Sequence, residues 1–378
     1  MKNWGSTVLL FTVLFAGSCS RSPDRSTSPL KDRSSRASSG FKKDEVMEVM
    51  KKVAYWQIDR DYGRWPINFW IVGSMFVGMT EYAIRTNDDY LLNAVKKHCE
   101  SVDWKMGKVI YHADYHTIGQ TYLMLYEREK DPVMLSGVKE RLDFILAHRS
   151  DASLHFASEN RTRWDWCDAL FMSPPVWAHF SKITGDPKYL EFMNEEYLFT
   201  TDYLYDPEEH LYYRDDRYFE KREANGRKVF WSRGNGWVFA GLCRILNQMP
   251  QDSPNRARYE QIFKEMAYQL VAVLPEDNLW HSSLLDPVSY PSVEASGSGF
   301  YLYGLAWGVN QGLLDPEYFM PTIQRVWPAL VACVHEDGKL GYVQAIGADP
   351  RHVGANDSGL YGVGAFLLAG LEIEKMSN

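Results

Sequence analysis

A capping side chain followed at once by proline recurs along this chain, at Asp131-Pro132, Asp186-Pro187, Ser253-Pro254 and Asp315-Pro316. The side-chain oxygen accepts an orphan amide proton at a helix start, and proline fits the first helical position. Asn87-Asp88-Asp89-Tyr90-Leu91 is a looser fifth case, echoed by Asp186-Pro187-Lys188-Tyr189-Leu190 and Asp315-Pro316-Glu317-Tyr318-Phe319. Successive starts lie about 43 to about 67 residues apart, room for two helices and a loop each time. Apolar spacing between the signals predicts twelve helices, near 43–58, 67–86, 88–101, 114–129, 131–148, 167–184, 186–203, 231–248, 255–274, 296–313, 315–335 and 357–375. Six helix pairs with almost no alternating strand pattern argue for an all-α toroid. An open solenoid of the same pairs is the rival, and periodicity alone does not decide between them. Short hairpins are expected around Leu211-Tyr212-Tyr213 and Gly341-Tyr342-Val343.

One asymmetry points to a site. The loops before the helices starting near 67, 114, 167, 231, 296 and 357 hold most of the Trp, Asp, His and Arg. In a closed ring, alternate helices form the inner wall, and these loops gather at one end as a cleft. The formal charge of −8 gives no broad attraction for phosphate, so a nucleic-acid partner is not expected.

The amino end reads as a leader. Lys2 precedes an apolar run from Val8 to Ala16, too short to span a bilayer, which ends in Ala16-Gly17-Ser18-Cys19. Residues 1–18 are expected to be a lipoprotein-type signal and Cys19 the lipid-bearing residue; an ordinary cleaved signal is the alternative. Residues 19–40, rich in Ser, Arg and Pro, are expected to be a flexible spacer. The folded domain is then 41–378, tethered by lipid in the periplasm or at the surface of a bacterium. Cys99, Cys167, Cys243 and Cys333 show no metal spacing and are expected to be free, buried thiols, with a disulfide between two of them left open.

Four clusters carry possible chemistry. In Tyr111-His112-Ala113-Asp114-Tyr115-His116, Asp114 sits where a helix begins and is either a cap or a pocket carboxylate. His112 and His116 are spaced like metal ligands, but no third ligand accompanies them, so no metal is expected. In Arg163-Trp164-Asp165-Trp166-Cys167-Asp168, a carboxyl against indole loses solvation and gains the means to act as a general acid. Spacing does not choose between Asp165 and Asp168. In Trp231-Ser232-Arg233-Gly234-Asn235-Gly236-Trp237, guanidinium beside indole suits a sugar bearing a carboxylate, or equally a structural ion pair. Glu294-Ala295-Ser296-Gly297-Ser298-Gly299 lets helices or a ligand approach closely and lacks the ending of a phosphate loop.

Taken together, the region 41–376 resembles glycoside hydrolase family 105, the unsaturated rhamnogalacturonyl hydrolase-like family, with kinship to the unsaturated glucuronyl hydrolases of family 88. The resemblance rests on Trp166-Cys167-Asp168 with Leu170-Phe171-Met172, on Trp231 to Trp237, on the Asp114 helix start, on Glu294 to Ser298 and on Tyr361-Gly362-Val363-Gly364-Ala365-Phe366. It implies an (α/α)6 barrel, no cofactor, and removal of a 4,5-unsaturated uronic acid from the non-reducing end of oligosaccharides that a polysaccharide lyase supplies, from ulvan or a pectin. It implies Asp168 as proton donor, Asp114 as the second carboxylate, and Trp166, Arg233 and Trp237 as substrate contacts, with His112 and His116 beside them. Where the family pattern carries a His, this chain has Arg214, which favours an anion on the neighbouring sugar. Two other readings share these residues. One is a direct inverting glycosidase using Asp114 and Asp168; the other is a lipid-anchored glycan binder with no need for Asp168.

Overall fold

The computed structural model describes residue 1 and residues 40–60, 62–156 and 161–378. Cys19 and nearly all of the expected leader and spacer lie outside them. The helices are α1 (Lys43–Ile58), α2 (Trp70–Thr86), α3 (Asp89–Glu100), α4 (Ile118–Glu129), α5 (Val133–Ala147), α6 (Ala169–Met172), α7 (Pro174–Thr184), α8 (Lys188–Leu204), α9 (Ser232–Gln248), α10 (Arg256–Ala272), α11 (Ala295–Asn310), α12 (Pro316–Val331) and α13 (Leu360–Met376). The helix expected over 167–184 is divided at Ser173-Pro174-Pro175, where two prolines withhold backbone donors.

Helix starts follow the expected chemistry. Asp88, Asp131, Asp186 and Asp315 each accept a backbone N–H from two or three residues on. Ser253 differs: its backbone carbonyl, not its hydroxyl, takes the amide of Arg256, and α10 begins there. The hairpin at Leu211 forms as two short antiparallel strands, β1 (Tyr205–Asp206) and β2 (Leu211–Tyr212). The one expected at Gly341–Val343 does not. There the pairing is a single bridge, Val334 to Leu340, and Val343 donates instead to the Asp357 carbonyl.

The ring closes. Helices α2, α4, α6–α7, α9, α11 and α13 pack in succession, and α13 returns to α2, which excludes the open solenoid. The outer helices α1, α3, α5, α8, α10 and α12 each pack on the inner helix that precedes them around the ring. This two-layer ring is the (α/α)6 barrel. Composition matches position: α11 is buried continuously from Ala295 to Gly308, whereas α3 buries only Leu91, Leu92, Val95 and Cys99 on one face. At the closing seam, a Cβ on Gly78 of α2 would overlap the Gly364 carbonyl oxygen of α13. A Cβ on Gly364 would overlap the Ser74 carbonyl oxygen in turn. The four cysteines outside the leader are free and buried. No described helix is long and apolar enough to cross a membrane.

Connections from inner to outer helices are short; those from outer to inner are long and enter the amino ends of the inner helices. All the long loops therefore meet at one end of the ring.

Candidate active site

A cavity of about 270 Å³ opens at that end. His112, Asp114, Trp166, Asp168 and Arg214 line it, together with Trp70, Arg161, Met172, Trp231, Ile346 and Gly347. Four long loops, together with α2 and α6, thus meet over the barrel axis.

Asp168 stands at the start of α6, and its Oδ2 lies 3.8 Å from the Arg214 Nε and 3.5 Å from the Cys167 Sγ. Burial raises its pKa, opposed in part by the charges of Arg214 and Arg233. Asp114 is raised to about 7, first by burial and then by the charge of Asp168; Arg161 and Arg214 act against the rise. Two carboxyls that resist ionisation together therefore face one space, an arrangement suited to acid–base work. Asp165, the rival acid of the same segment, is buried and does not line the cavity.

Three features position Arg214. The Asn235 side chain accepts from the Tyr212 N–H at 2.7 Å and donates to the Tyr212 carbonyl at 3.0 Å, so it acts as a third strand that holds β2 against α9. The Cys167 N–H then donates to the Arg214 carbonyl at 2.8 Å, tying this chain segment to the one bearing Asp168. Buried Asp215 binds the Arg214 Nη1 at 2.5 Å and the Arg217 Nε at 2.8 Å. Arg214 thus has a carboxylate partner, while its Nε is buried without a hydrogen-bond partner.

His112 is neutral at physiological pH: burial, then Arg161 and Arg214, lower its pKa to about 4. Its Nδ1 accepts from the Asp114 N–H at 3.3 Å, and its ring meets Trp166 edge-on at 5.0 Å.

Three residues marked out in the sequence stand behind the wall rather than in it. His116 is buried and held neutral, its pKa pushed down to about 3 mainly by burial. The Ile110 carbonyl can only accept, so Nε2 of His116 carries the proton and Nδ1 accepts from the Ser173 hydroxyl, each at 2.7 Å. Arg233 is fully buried; its Nη1 and Nη2 donate to the Gln344 and Ala345 carbonyls at 2.8 and 3.0 Å, between the rings of Trp231 and Tyr361. Trp237 is also fully buried, packed on Phe171 and Phe300 and edge-on to Trp70. The segment from Trp231 to Trp237 therefore braces two sides of the cavity: Asn235 holds the strand leading to Arg214, and Arg233 holds the loop leading to Ile346 and Gly347. Only Trp231 of this segment reaches the cavity, with its Nε1 on the Gln344 side chain at 3.0 Å.

Arg161 and Trp70 were not marked out in the sequence. Trp70 opens an apolar helix and reads there as core. Arg161 lies in a loop without a motif; its only signal is the run of Arg and aromatic residues from Phe156 to Trp166. Among the described residues, no group of three His, Cys, Asp or Glu side chains could hold a metal ion.

The raised pKa of Asp114 has a consequence for stability. A carboxyl whose folded-state pKa is raised stabilises the fold fully below its unfolded value, and that contribution is lost as pH rises through about 7. Asp114→Asn is therefore expected to be more stable than the parent at pH 8, by on the order of 3 kcal/mol, and about equal to it at pH 4. Denaturant midpoints at the two pH values test this; equal midpoints at pH 8 would refute it.

The model of Glycosyl Hydrolase Family 88 matches residues 41–377. Two curated relatives are both named unsaturated 3S-rhamnoglycuronyl hydrolase. The one from Alteromonas sp. (strain LOR) is 40% identical over 81% of this chain and 77% of its own length. The one from Formosa agariphila is 39% identical over 90% of this chain and 93% of its own length. A solved structure named a polysaccharide lyase superposes with a TM-score of 0.81 at 33% identity, covering 88% of this chain and 97% of that one.

Proposed function

On the footing that the chain belongs to glycosyl hydrolase family 88 and is a glycoside hydrolase, we propose that it removes a 4,5-unsaturated uronic acid from the non-reducing end of lyase-generated oligosaccharides. The sugar next in line is proposed to be rhamnose, as in the names of the two relatives. The observation that carries the reading is the pair of desolvated carboxyls, Asp114 and Asp168, sharing one cavity with two guanidinium groups.

The chemistry follows from the enol ether. Protonated Asp168 donates to C4 of the C4=C5 bond, and positive character forms at C5, stabilised by the ring oxygen. Water adds at C5 and returns a proton to the Asp168 carboxylate. The resulting hemiketal opens at the bond between C5 and the ring oxygen, which leaves a ketone at C5. C1 is then a hemiacetal that expels the remaining chain as an alcohol. One water is consumed and the acid is regenerated. Burial raises the Asp168 pKa and so favours the protonated form that the first step needs. Asp114 holds a hydroxyl or the attacking water, Trp166 offers an apolar face to the sugar, and Arg214, beside Asp168, faces the uronate carboxylate. The lipid at Cys19 and an upstream lyase in the same compartment complete the proposal; a tethered enzyme at the periplasmic or outer surface meets oligosaccharides as they are released.

The test is ultraviolet absorbance. Purified protein given an unsaturated uronyl-rhamnose oligosaccharide is expected to abolish the chromophore. A lyase would raise the absorbance of a saturated polymer instead, a direct glycosidase would cleave saturated glycosides, and a binder would leave every signal unchanged. Any of these three results overturns the reading.

A further inference from the structure

Arg214 stands between two carboxyl groups. On one side its Nη1 donates to the Oδ2 of Asp215 at 2.5 Å. On the other its Nε lies 3.8 Å from the Oδ2 of Asp168, beyond hydrogen-bond reach, and is buried without a hydrogen-bond partner. The two carboxyls differ in kind. Asp215 is fully buried, and its Oδ1 also accepts from the Arg217 Nε at 2.8 Å and the Arg217 backbone N–H at 3.1 Å, while its Oδ2 takes the Arg217 Nη2 at 2.9 Å. Burial acts to raise its pKa, but the hydrogen bonds from Arg217 and the charge of Arg214 outweigh burial and hold the carboxyl below its ordinary range. Asp168 has the opposite balance: burial raises it against the charges of Arg214 and Arg233, and the Cys167 thiol is a weak donor to it at 3.5 Å. Around this pair stand Asp114 from the turn before α4, Arg161 from the loop before α6, Arg233 from α9 and neutral His112. An arginine has no neutral form in a protein, so a lone carboxyl beside one is driven to ionise.

We infer that Asp215 is a positioning residue that acts through Arg214: it takes up the Nη1 edge and the charge of that arginine, keeps it from capturing Asp168 as a salt-bridge partner, and so leaves Asp168 able to carry the proton it donates; this rests on the proposed hydrolase reading, in which Asp168 is the acid. The unequal distances carry the argument. The guanidinium is drawn to 2.5 Å on the Asp215 side and stops at 3.8 Å on the Asp168 side, with an Nε–H that goes unused. Arg217 fixes the carboxylate that does the holding, and the Cys167 N–H fixes the Arg214 backbone through its carbonyl. Without the charge of Asp215, Asp168 is the nearest carboxyl left to Arg214, and the pair closes into an ion pair that gives up the proton.

The experiment compares parent, Asp215→Asn and Arg217→Gln, with thermal melts to establish folding. One readout is the carboxyl-carbon NMR resonance of Asp168, assigned by its loss in Asp168→Asn and titrated in the free protein, which separates it from Asp114. The other is the pH profile of kcat/KM on the unsaturated oligosaccharide, which reports the free enzyme. In Asp215→Asn the Asp168 titration is expected to move down by about one pH unit. The loss of kcat/KM is then roughly tenfold greater on the alkaline limb than on the acidic plateau, whereas damage of a merely structural kind lowers both alike. Arg217→Gln, on the half-exposed side, leaves Asp215 to Arg214 alone and is expected to move the titration upward; this arm stands even where Asp215→Asn does not fold. An unmoved or raised titration in Asp215→Asn, or an unmoved or lowered one in Arg217→Gln, would overturn the inference. A parent that leaves the chromophore intact refutes the hydrolase reading instead, a result the NMR titration does not share.

Discussion

Asp168→Asn is expected to lose turnover by roughly 10³-fold, within the range spanned by a placed proton donor. The amide has nearly the shape of the acid, so packing against Cys167 and the approach of the Arg214 Nε at 3.8 Å survive the change. What is lost is the proton for C4 and the base that later receives one from water. KM should stay within a few-fold of the parent, because Trp166, Arg214 and Arg161 still line the cavity. The same logic fixes a pH profile. Asp168 must be protonated to act, so kcat of the parent should be flat at low pH and fall as pH rises through the raised pKa of this group. Single-turnover decay of the chromophore measures both. A variant with near-parental kcat would move the acid elsewhere, Asp114 first.

The second large effect is on stability, at the seam where the ring closes. Gly78→Ala places a methyl group where the Gly364 carbonyl oxygen already stands. Both atoms belong to helix backbones or are fixed to them, so no side-chain rotation relieves the overlap, and α2 and α13 must part. Overpacking of a core commonly costs about 1–3 kcal/mol, and a backbone-to-backbone overlap falls at the upper end. We expect a loss of about 3 kcal/mol or more, read as a drop in denaturant midpoint. Gly185 supplies the control. It caps α7 with φ +70° and has open space around its missing Cβ. Gly185→Ala carries only left-handed strain, about 1 kcal/mol. Comparable losses at the two sites would show that the seam is looser than the structure indicates. The seam also reaches the cavity, for Trp70 at the head of α2 packs on Tyr361 at the head of α13 with ring centres 5.2 Å apart. Activity of Gly78→Ala should therefore fall at temperatures where the protein remains folded.

The helices were legible because capping and apolar spacing are local properties. Asp88, Asp131, Asp186 and Asp315 each cap the helix expected after them. Closure was not legible, since it depends on α13 meeting α2 across nearly the whole chain, through glycines that could equally have lain in an open stack. Within the site, an acid set beside indole at a helix start pointed to Asp165 and Asp168 alike, and only the family resemblance chose Asp168 and gave Asp114 its role. Arg233 and Trp237 carried the same signal and stand behind the wall. A guanidinium between rings looks alike in sequence whether its N–H groups face a ligand or, as here, two backbone carbonyls. Arg161 failed to stand out for the opposite reason, because its partners Phe156 and Trp166 are ordinary neighbours until the loop folds over.

Because every long connection enters an inner helix at its amino end, all six of those helices aim their first turns at the cavity mouth. Each aligned stack of peptide units carries roughly half a positive elementary charge at that end, felt over about one turn. The backbone itself thus gives the mouth a polarity welcoming to negatively charged guests, before any arginine is counted. The outer helices, running the other way, offset this field over longer distances and confine it to the rim.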